Sequence, residues 1–561
     1  MFRPSPEQEA IRDAEEMSLL VIAPAGCGKT EALVLRAAGL IARDQVNAPS
    51  RLLLATFSKK ARDNIRDRAL DHVSPTVLQN RMTIANFHGL AARIVRAHGN
   101  VIGLTPDVLL PESDWVDQQC RLRGLDKKRS DFIKATLRDL KLHPHDDEEI
   151  LRKLEEVGDK VMSAIEAQRQ QENRLTYEDL LRQAERILQN PRVAEIYSTH
   201  FGAVIVDEFQ DLTLQQLRVI LILGKGRTTF AGDLAQGIYG FAGASPVQVL
   251  QVIKASVLRE VVFSTSHRSS PAVLGLVNTL TEVTGGQELT AAEPHKWPGG
   301  GLCGAVLSDS DDIEAKWVVD LCKFILEKSS SQRIGVISRT APRRRTVDLA
   351  VASSGLPWFR WDDPLLEKDV ARALRSGLQD FSQRKWTDAP DQRSYLRGLV
   401  GVEIFQDPDS AKSMLGAIDW LQDQLIQGTG IDEVQKRVRG EGRDSLLDAA
   451  GVHLLSGHAG KGQQFDWVCV IGAEEGSIPF VKAQTAESLD EEGRILAVML
   501  SRARHGAMVF AARRVRMPWG DVVPQRPSRY LELLRRAPGL LYNDAVVSWL
   551  RAADWESVPK V

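Results

Sequence analysis

Residues Ser18–Ala25 read SLLVIAPA, the loop continues GCGK through Gly26–Lys29, and Thr30–Ala42 read TEALVLRAAGLIA. The first piece is a short apolar run entering a glycine-rich turn, and the last has apolar residues at helical spacing. Strand, loop and helix follow in that order. Glycines at 26 and 28 let backbone N–H groups turn inward around phosphate oxygens, so Ala25, Gly26, Cys27 and Gly28 are expected to cradle a nucleotide's phosphates. Lys29 would meet the terminal phosphates, and the Thr30 hydroxyl suits magnesium. Ala23 stands where the pattern GxxxxGK[ST] has its first glycine. A fortuitous glycine-rich turn is the bland alternative.

Working outward, RLLLATFS from Arg51 and AVIVDE from Ala203 are further apolar runs ended by polar residues, as expected for strands buried on both faces of a parallel sheet. The second run delivers Asp207 and Glu208 to a strand's carboxyl end. With a phosphate loop upstream, one carboxylate there supports magnesium and its neighbour can orient the attacking water. Without that loop, an exposed acidic pair capping a strand would be the commoner meaning. From about Pro106 to Asn190 the pattern becomes charged and helical, a separate helical insertion. Near Val261 a second α/β pattern begins with VVFSTSHRSS, continues through RIGVISRT, and resumes at VHLLSGHAGKG after another helical stretch.

The chain has 561 residues, 43% apolar and 26% charged, which suits several globular domains. Its formal net charge of -2 excludes binding of nucleic acid by bulk attraction, leaving local grooves of Lys and Arg for that role. Candidate clusters are Lys59-Lys60, Arg343-Arg344-Arg345 and Arg513-Arg514, each equally readable as a solvated surface patch. Five scattered cysteines without CxxC or zinc-ligand spacing argue for a reducing compartment. The N-terminus has no apolar signal core and no stretch is long enough to span a bilayer, so the expected location is the cytoplasm, away from membranes.

Taken in order, these segments resemble UvrD/Rep-type helicases of superfamily 1 over most of the chain. PSPEQEAI resembles the segment whose glutamine reads adenine, here Gln8; RLLLATFSKKARDNIRDR and MTIANFHGLAARIVR resemble segments lining a single-strand path. FAGDLAQGIYGFAGA resembles the segment coupling phosphate to bases, with Gln236 sensing the terminal phosphate. SHRSSPAVL would supply one phosphate-contacting arginine, Arg268, and EEGRILAVMLSRARHG another, Arg502; SGHAGKGQQF resembles the motif around Lys461. The resemblance implies two RecA-like P-loop domains with parallel sheets, each interrupted by a mostly helical insertion. Boundaries are expected at 1–105 and 192–260 for the first core, 106–191 for its insertion, 261–384 and 451–561 for the second core, and 385–450 for a small helical insertion. Both arginines are thereby expected in the second core, with nucleotide in a cleft between cores.

By the same resemblance, Phe57, Phe87, His88, Tyr239, Phe241, His458 and Trp519 line the nucleic-acid path, where aromatic faces stack bases whatever their sequence. For any one phenylalanine, core packing is the ordinary meaning. Several positions depart from the family pattern. Ala242 replaces a coupling arginine, Glu31 and His267 stand where an arginine and a tyrosine usually clasp adenine, Gln464 replaces a ribose-contacting glutamate, Gly460 and Gln463 replace an alanine and a leucine, and Ser501 a threonine. The expectation is an ATP- and magnesium-dependent motor on single-stranded DNA, moving 3′ to 5′, in a setting such as DNA repair. The alternative is a DNA-sensing NTPase switch acting with a partner nuclease in antiviral defence of the Gabija type. The apolar positions of AKSMLGAIDWLQDQLIQG, in the small insertion, must pack on the second core or on another protein.

Overall fold

The computed structural model describes residues 4–558 apart from 58, 110, 112–114, 362–367, 402–407, 427–428, 439–448 and 518–519. The chain forms two compact units, Met1–Arg268 with Thr284–Ala292, and Ser269–Val283 with Glu293–Val561.

In the first unit the apolar runs become strands β1 (Leu19–Ile22), β2 (Arg51–Thr56), β3 (Met82–Asn86), β4 (Phe201–Val206), β5 (Thr228–Gly232) and β6 (Arg259–Val262). They form one parallel sheet in the order β3-β2-β4-β5-β1-β6. Helices on the faces bury both sides, which is why LLVI and FGAVIV are apolar at every position rather than alternating. Strand β6 corrects an expected boundary. From Val261 on its residues are expected in the second core, but they pair in register with β1, Leu19 opposite Arg259 through Ile22 opposite Val262. The short strands β7 (Thr265–Ser266) and β8 (Thr290–Ala291) pair in this unit too. A short apolar run carries no label for the sheet that will accept it.

The first insertion also ends earlier than expected. Helices Trp115–Leu122, Lys127–Lys141, Asp147–Val157 and Lys160–Gln171 share their own core of Trp115, Ile133, Leu137, Ile150, Leu154, Met162 and Ile165. The next helix, Tyr177–Leu188, instead packs Leu180, Leu181, Ala184 and Ile187 into the core of the sheet. Between the two lies a buried ion network, with Lys141 Nζ 3.0 Å from Glu166 and 2.9 Å from Asp179, and Arg182 2.8 Å from Asp179. Burial alone would push the Asp179 carboxyl up; the charges of Lys141, Arg169 and Arg182 overcome this and hold it well below the usual range.

In the second unit, β9 (Leu302–Ser308), β10 (Arg333–Ser338), β11 (Trp358–Arg360), β12 (Gly451–Ser456), β13 (Phe465–Ile471) and β14 (Ala503–Ala512) join a parallel sheet, and Arg514–Arg516 (β15) and Val522–Pro524 (β16) form a separate antiparallel ribbon. With Leu541–Tyr542 as β17, the large sheet runs β11-β12-β10-β13-β14-β9-β17. Its helical insertion begins near Lys368 rather than at 385. Val370, Leu374 and Leu378 of helix Lys368–Gln379 share a core with Leu396 and Val400 of Gln392–Val400 and with Met414, Ile418, Leu421 and Leu425 of Pro408–Ile426. Gly377 is a contact point, since a Cβ there would lie 2.5 Å from the Leu399 carbonyl oxygen. Met414, Ile418, Leu421 and Leu425 of the 408–426 helix are therefore buried within the insertion itself rather than in the core of the second sheet, while Ile426 is exposed. Among the described residues no helix is long and apolar enough to cross a membrane.

Candidate nucleotide site and nucleic-acid platform

The order β4-β5-β1-β6 makes neighbours of four carboxyl-end loops that are far apart in sequence, and ligands of open parallel sheets bind outside such ends. After β4 come Asp207 and Glu208; after β5, Asp233 and Gln236; after β1, the glycine loop; after β6, His267 and Arg268. Every residue of this row belongs to the first unit. That overturns the expectation that Arg268 comes from the second core. His267 donates its backbone N–H to the Gly26 carbonyl at 3.0 Å, and a Cβ on Gly26 would meet Arg268 Cβ at 2.6 Å. Gly26, at φ 87°, is thus required both for its turn and for the arginine segment lying on it.

Gly28, at φ 80°, is the N-cap of helix Lys29–Ala42, so the first-turn N–H groups of that helix and its positive dipole end face the loop. Lys29 Nζ stands 2.8 Å from Asp207 Oδ1 and 2.5 Å from Glu208 Oε1. Burial would weaken the ammonium, but the charges of the two carboxylates outweigh it and raise Lys29 above its ordinary value. Burial also pushes the Asp207 carboxyl up, against the pull of Lys29. A lysine flanked this closely by two carboxylates remains charged.

Glu208 has φ 57°, a left-handed conformation that costs a residue with a Cβ about 1–2 kcal/mol. Among the bonds that hold it there, its N–H donates to Asp207 Oδ1 at 3.0 Å, and Gln210 Nε2 donates to its Oε2 at 2.5 Å. Gln210 Oε1 in turn accepts the Asp233 N–H at 3.0 Å, and Asp233 Oδ2 accepts Gln236 Nε2 at 2.9 Å. Gln210 therefore ties the acidic pair to the Gln236 turn. Nothing in the local sequence marks Gln210 for this role, because its partner Asp233 lies 23 residues away, just after another strand.

Gln8 is both the N3 residue of a capping box with Ser5 and the donor of a 3.2 Å bond to the Gly28 carbonyl, which places it on the phosphate loop. Ala25 and Thr30 are half-buried within the loop and first helical turn. Cys27 is buried, and that burial pushes its thiol up to about 12, so it is a packing residue rather than a nucleophile. Glu31 pairs with His72 and lies 3.5 Å from Arg68, while His267 is exposed. Among the described residues there is no cluster of three or more His, Cys, Asp or Glu able to hold a metal alone. The donor set offered to magnesium is the Thr30 hydroxyl and the Asp207 carboxylate beside a phosphate cradle, and that hard oxygen chemistry fits magnesium shared with substrate phosphates.

The expected aromatic path separates into two groups. Phe57 (43% exposed) stacks on Tyr239 with centroids 5.8 Å apart and an interplanar angle of 9°, and Tyr239 meets Phe241 (64% exposed) edge-on at 5.9 Å. Burial and the charges of Asp211 and Glu208 push the Tyr239 hydroxyl up to about 12. Phe87, by contrast, is 3% exposed and belongs to the core of the first sheet, which corrects its assignment to the path. It opens helix Phe87–His98 with its ring turned inward, leaving half-buried His88 against Tyr177 at 5.6 Å. Trp519 and the side chains of Lys59 and Lys60 lie outside the described residues.

In the second unit, neighbouring strands β13 and β14 bring Gln464 and Arg502 to their amino ends, where the Phe465 N–H donates to the Arg502 carbonyl at 2.9 Å. Arg502 is buried, donating Nε to the Val498 carbonyl at 2.9 Å and Nη2 to Ser501 Oγ at 2.9 Å. Gln464 Oε1 accepts from Arg504 Nη2 at 3.0 Å. His458 and Lys461 stand in the loop after β12. Arg343 and Arg344 are not a phosphate-contacting patch: Arg343 is enclosed by Glu314 and Glu474, and fully buried Arg344 by Asp348, which leaves Arg345 exposed.

Sequence comparison gives this arrangement its relatives. The UvrD/REP helicase N-terminal domain matches residues 5–256, and the UvrD-like helicase C-terminal domain matches residues 431–513, together more than half of the chain. DNA helicase II of Salmonella typhimurium and of Escherichia coli are each 24% identical over 94% of this chain and 86% of theirs. The ATP-dependent DNA helicase UvrD2 of Mycobacterium tuberculosis is 26% identical over 91% of this chain and 78% of its own.

Proposed function

Because this chain belongs to the UvrD/Rep family of superfamily 1 helicases, we propose that it is an ATP- and magnesium-dependent DNA motor that moves 3′ to 5′ along a single strand. The observation that carries the reading is the Lys29–Asp207–Glu208 cluster, joined through Gln210 to Gln236, with Arg268 laid over Gly26.

Lys29 neutralises charge on the terminal phosphates of ATP, which compete with the two carboxylates for its ammonium. Thr30 and Asp207 would hold magnesium, which when bound screens the negative charge of the phosphates. Glu208, held in its strained conformation by its bonds to Asp207 and Gln210, orients the attacking water and accepts its proton. Gln236 reports the terminal phosphate to the loop that carries Tyr239 and Phe241, only three and five residues further on. Arg268, laid over the phosphate loop at Gly26, stabilises the charge that develops on the transferred group. Phe57, Tyr239 and Phe241 offer bases a sequence-indifferent stack.

The test is a coupled ATPase assay with single-stranded DNA, duplex DNA and RNA, followed by strand displacement on duplexes with a 3′ or a 5′ tail. Hydrolysis stimulated by single-stranded DNA and displacement from the 3′-tailed duplex are expected. Displacement from the 5′ tail alone would overturn the polarity. Stimulated hydrolysis without any displacement would favour the switch that acts with a nuclease.

A further inference from the structure

We propose that Arg138, on the insertion helix Lys127–Lys141, is a positioning residue that sets the aromatic loop Tyr239–Ala242 for base stacking, an inference that rests on reading Tyr239 and Phe241 as a platform. The loop is a single 3-10 turn, Gly240–Ala242, followed by Gly243 at φ 89°. Its internal bonds use the Tyr239 carbonyl, which accepts the Ala242 N–H at 2.9 Å, and the Gly240 carbonyl, which accepts the Gly243 N–H at 2.9 Å. The next carbonyl, of Phe241, accepts Arg138 Nη1 at 2.6 Å across 103 residues of sequence. From Ile238 to Ser245 the loop has no charged side chain of its own. A cation at its backbone must come from elsewhere, and the insertion supplies one.

The guanidinium is delivered from a fixed base. Its other edge is held by Asp139, with Nε at 3.0 Å and Nη2 at 2.9 Å from Oδ1. The end of the helix is anchored to the sheet's own helices: the Lys141 carbonyl accepts Gln215 Nε2 at 3.0 Å, and the Leu142 carbonyl accepts Arg218 Nη2 at 2.8 Å. Lys141 itself enters the buried network with Glu166 and Asp179. The loop also rests on the residue after that helix, since a Cβ on Gly243 would lie 3.5 Å from Leu142 Cδ1. A glycine-flanked loop that must present an exposed phenylalanine loses conformational freedom when a base stacks on it, and a charge-assisted bond made beforehand removes part of that cost. The insertion thereby acts on DNA affinity through the loop, by preorganisation, without touching nucleotide.

The experiment measures affinity for a fluorescent oligo-dT by anisotropy at several salt concentrations, for wild type, Arg138→Ala, Arg138→Gln, Arg138→Lys and Phe241→Ala. For Arg138→Ala, about tenfold weaker binding is expected with the slope of affinity against salt unchanged. Both Gln and Lys, which can still donate to the carbonyl, recover most of the loss. Recovery by Lys but not Gln, with the Ala slope reduced by about one, would make Arg138 a phosphate contact and overturn the inference. Wild-type affinity in Arg138→Ala beside a weakened Phe241→Ala overturns the inference alone. Wild-type affinity in Phe241→Ala overturns the platform reading and the inference with it.

Discussion

Each unit holds one cation between two carboxylates at the carboxyl ends of its parallel strands: Lys29 with Asp207 and Glu208, and Arg343 with Glu314 and Glu474. The inventories match and the environments do not. In the first cluster the side chain of Glu208 is 27% exposed, its backbone is strained, and the lysine directly follows the glycine loop. In the second, Glu314 is fully buried, Glu474 Oε1 accepts the Ala512 N–H at 2.7 Å, and a Cβ on Gly472 would meet Arg343 Cγ at 2.9 Å. An ammonium is a point charge whose rotatable donors can be shared with an incoming phosphate, whereas a guanidinium fork doubly bonded to Glu474 is committed to it. Charge composition does not identify a catalytic cluster. Access and backbone strain do.

The largest expected effect breaks the comparison on activity. Lys29→Ala or Glu208→Gln is expected to lower kcat of DNA-stimulated hydrolysis by at least roughly 10²–10³-fold, with little change in thermal unfolding, and Glu208→Gln should still bind ATP in a fluorescent-nucleotide titration. Near wild-type turnover in both would end the assignment of the site.

The reverse pattern is expected in the second cluster. Arg343→Ala leaves two buried carboxylates without their cation and should cost about 3–5 kcal/mol in chemical denaturation. If it instead unfolded at wild-type denaturant while turnover collapsed, the two clusters would have to exchange roles.

A pH series sharpens the contrast. Burial pushes Glu314 up to about 7 from an ordinary 4.5, with the Arg343 charge opposing. Between those values the folded protein keeps a proton that the unfolded chain releases, so stability falls as pH rises through the window, by at most about 1.4 kcal/mol per pH unit. Relative to wild type, Glu314→Gln should therefore gain stability at pH 8 and gain little at pH 4.5. A difference that stays flat across this range would show that Glu314 is ionised throughout.

The smallest expected effect applies the same criterion of access to aromatic residues. Phe241→Ala should weaken single-strand binding by about 1–3 kcal/mol at unchanged stability, whereas Phe87→Ala should act on unfolding and leave oligonucleotide affinity per folded molecule intact. Loss of DNA affinity in Phe87→Ala without destabilisation would restore Phe87 to the path.

Much of the candidate nucleotide site was legible in the chain, because its chemistry sits in contiguous segments. APAGCGKT must place Lys29 at a helix start, and VIVDE must place Asp207 and Glu208 at a strand end, since glycine torsions and apolar runs act over a few residues. Gln210 and Arg138 were harder to see, for their partners lie 23 and 103 residues away and their own neighbourhoods look like any polar turn or charged helix.

By itself, then, the sequence determined that the chain is α/β with parallel sheets, that a phosphate loop precedes an acidic strand end, and that two helical stretches interrupt the pattern. Only the tertiary structure decided that β6 and Arg268 belong with the phosphate loop, that helix Tyr177–Leu188 packs on the sheet rather than in the insertion, that Phe87 is core while Phe241 is exposed, and that Arg343 is spent inside a salt bridge. The reason is one of range. Torsional preference and periodicity are set by nearest neighbours in the chain, whereas which sheet edge a strand joins and which side chains lose their water depend on contacts between segments far apart in sequence.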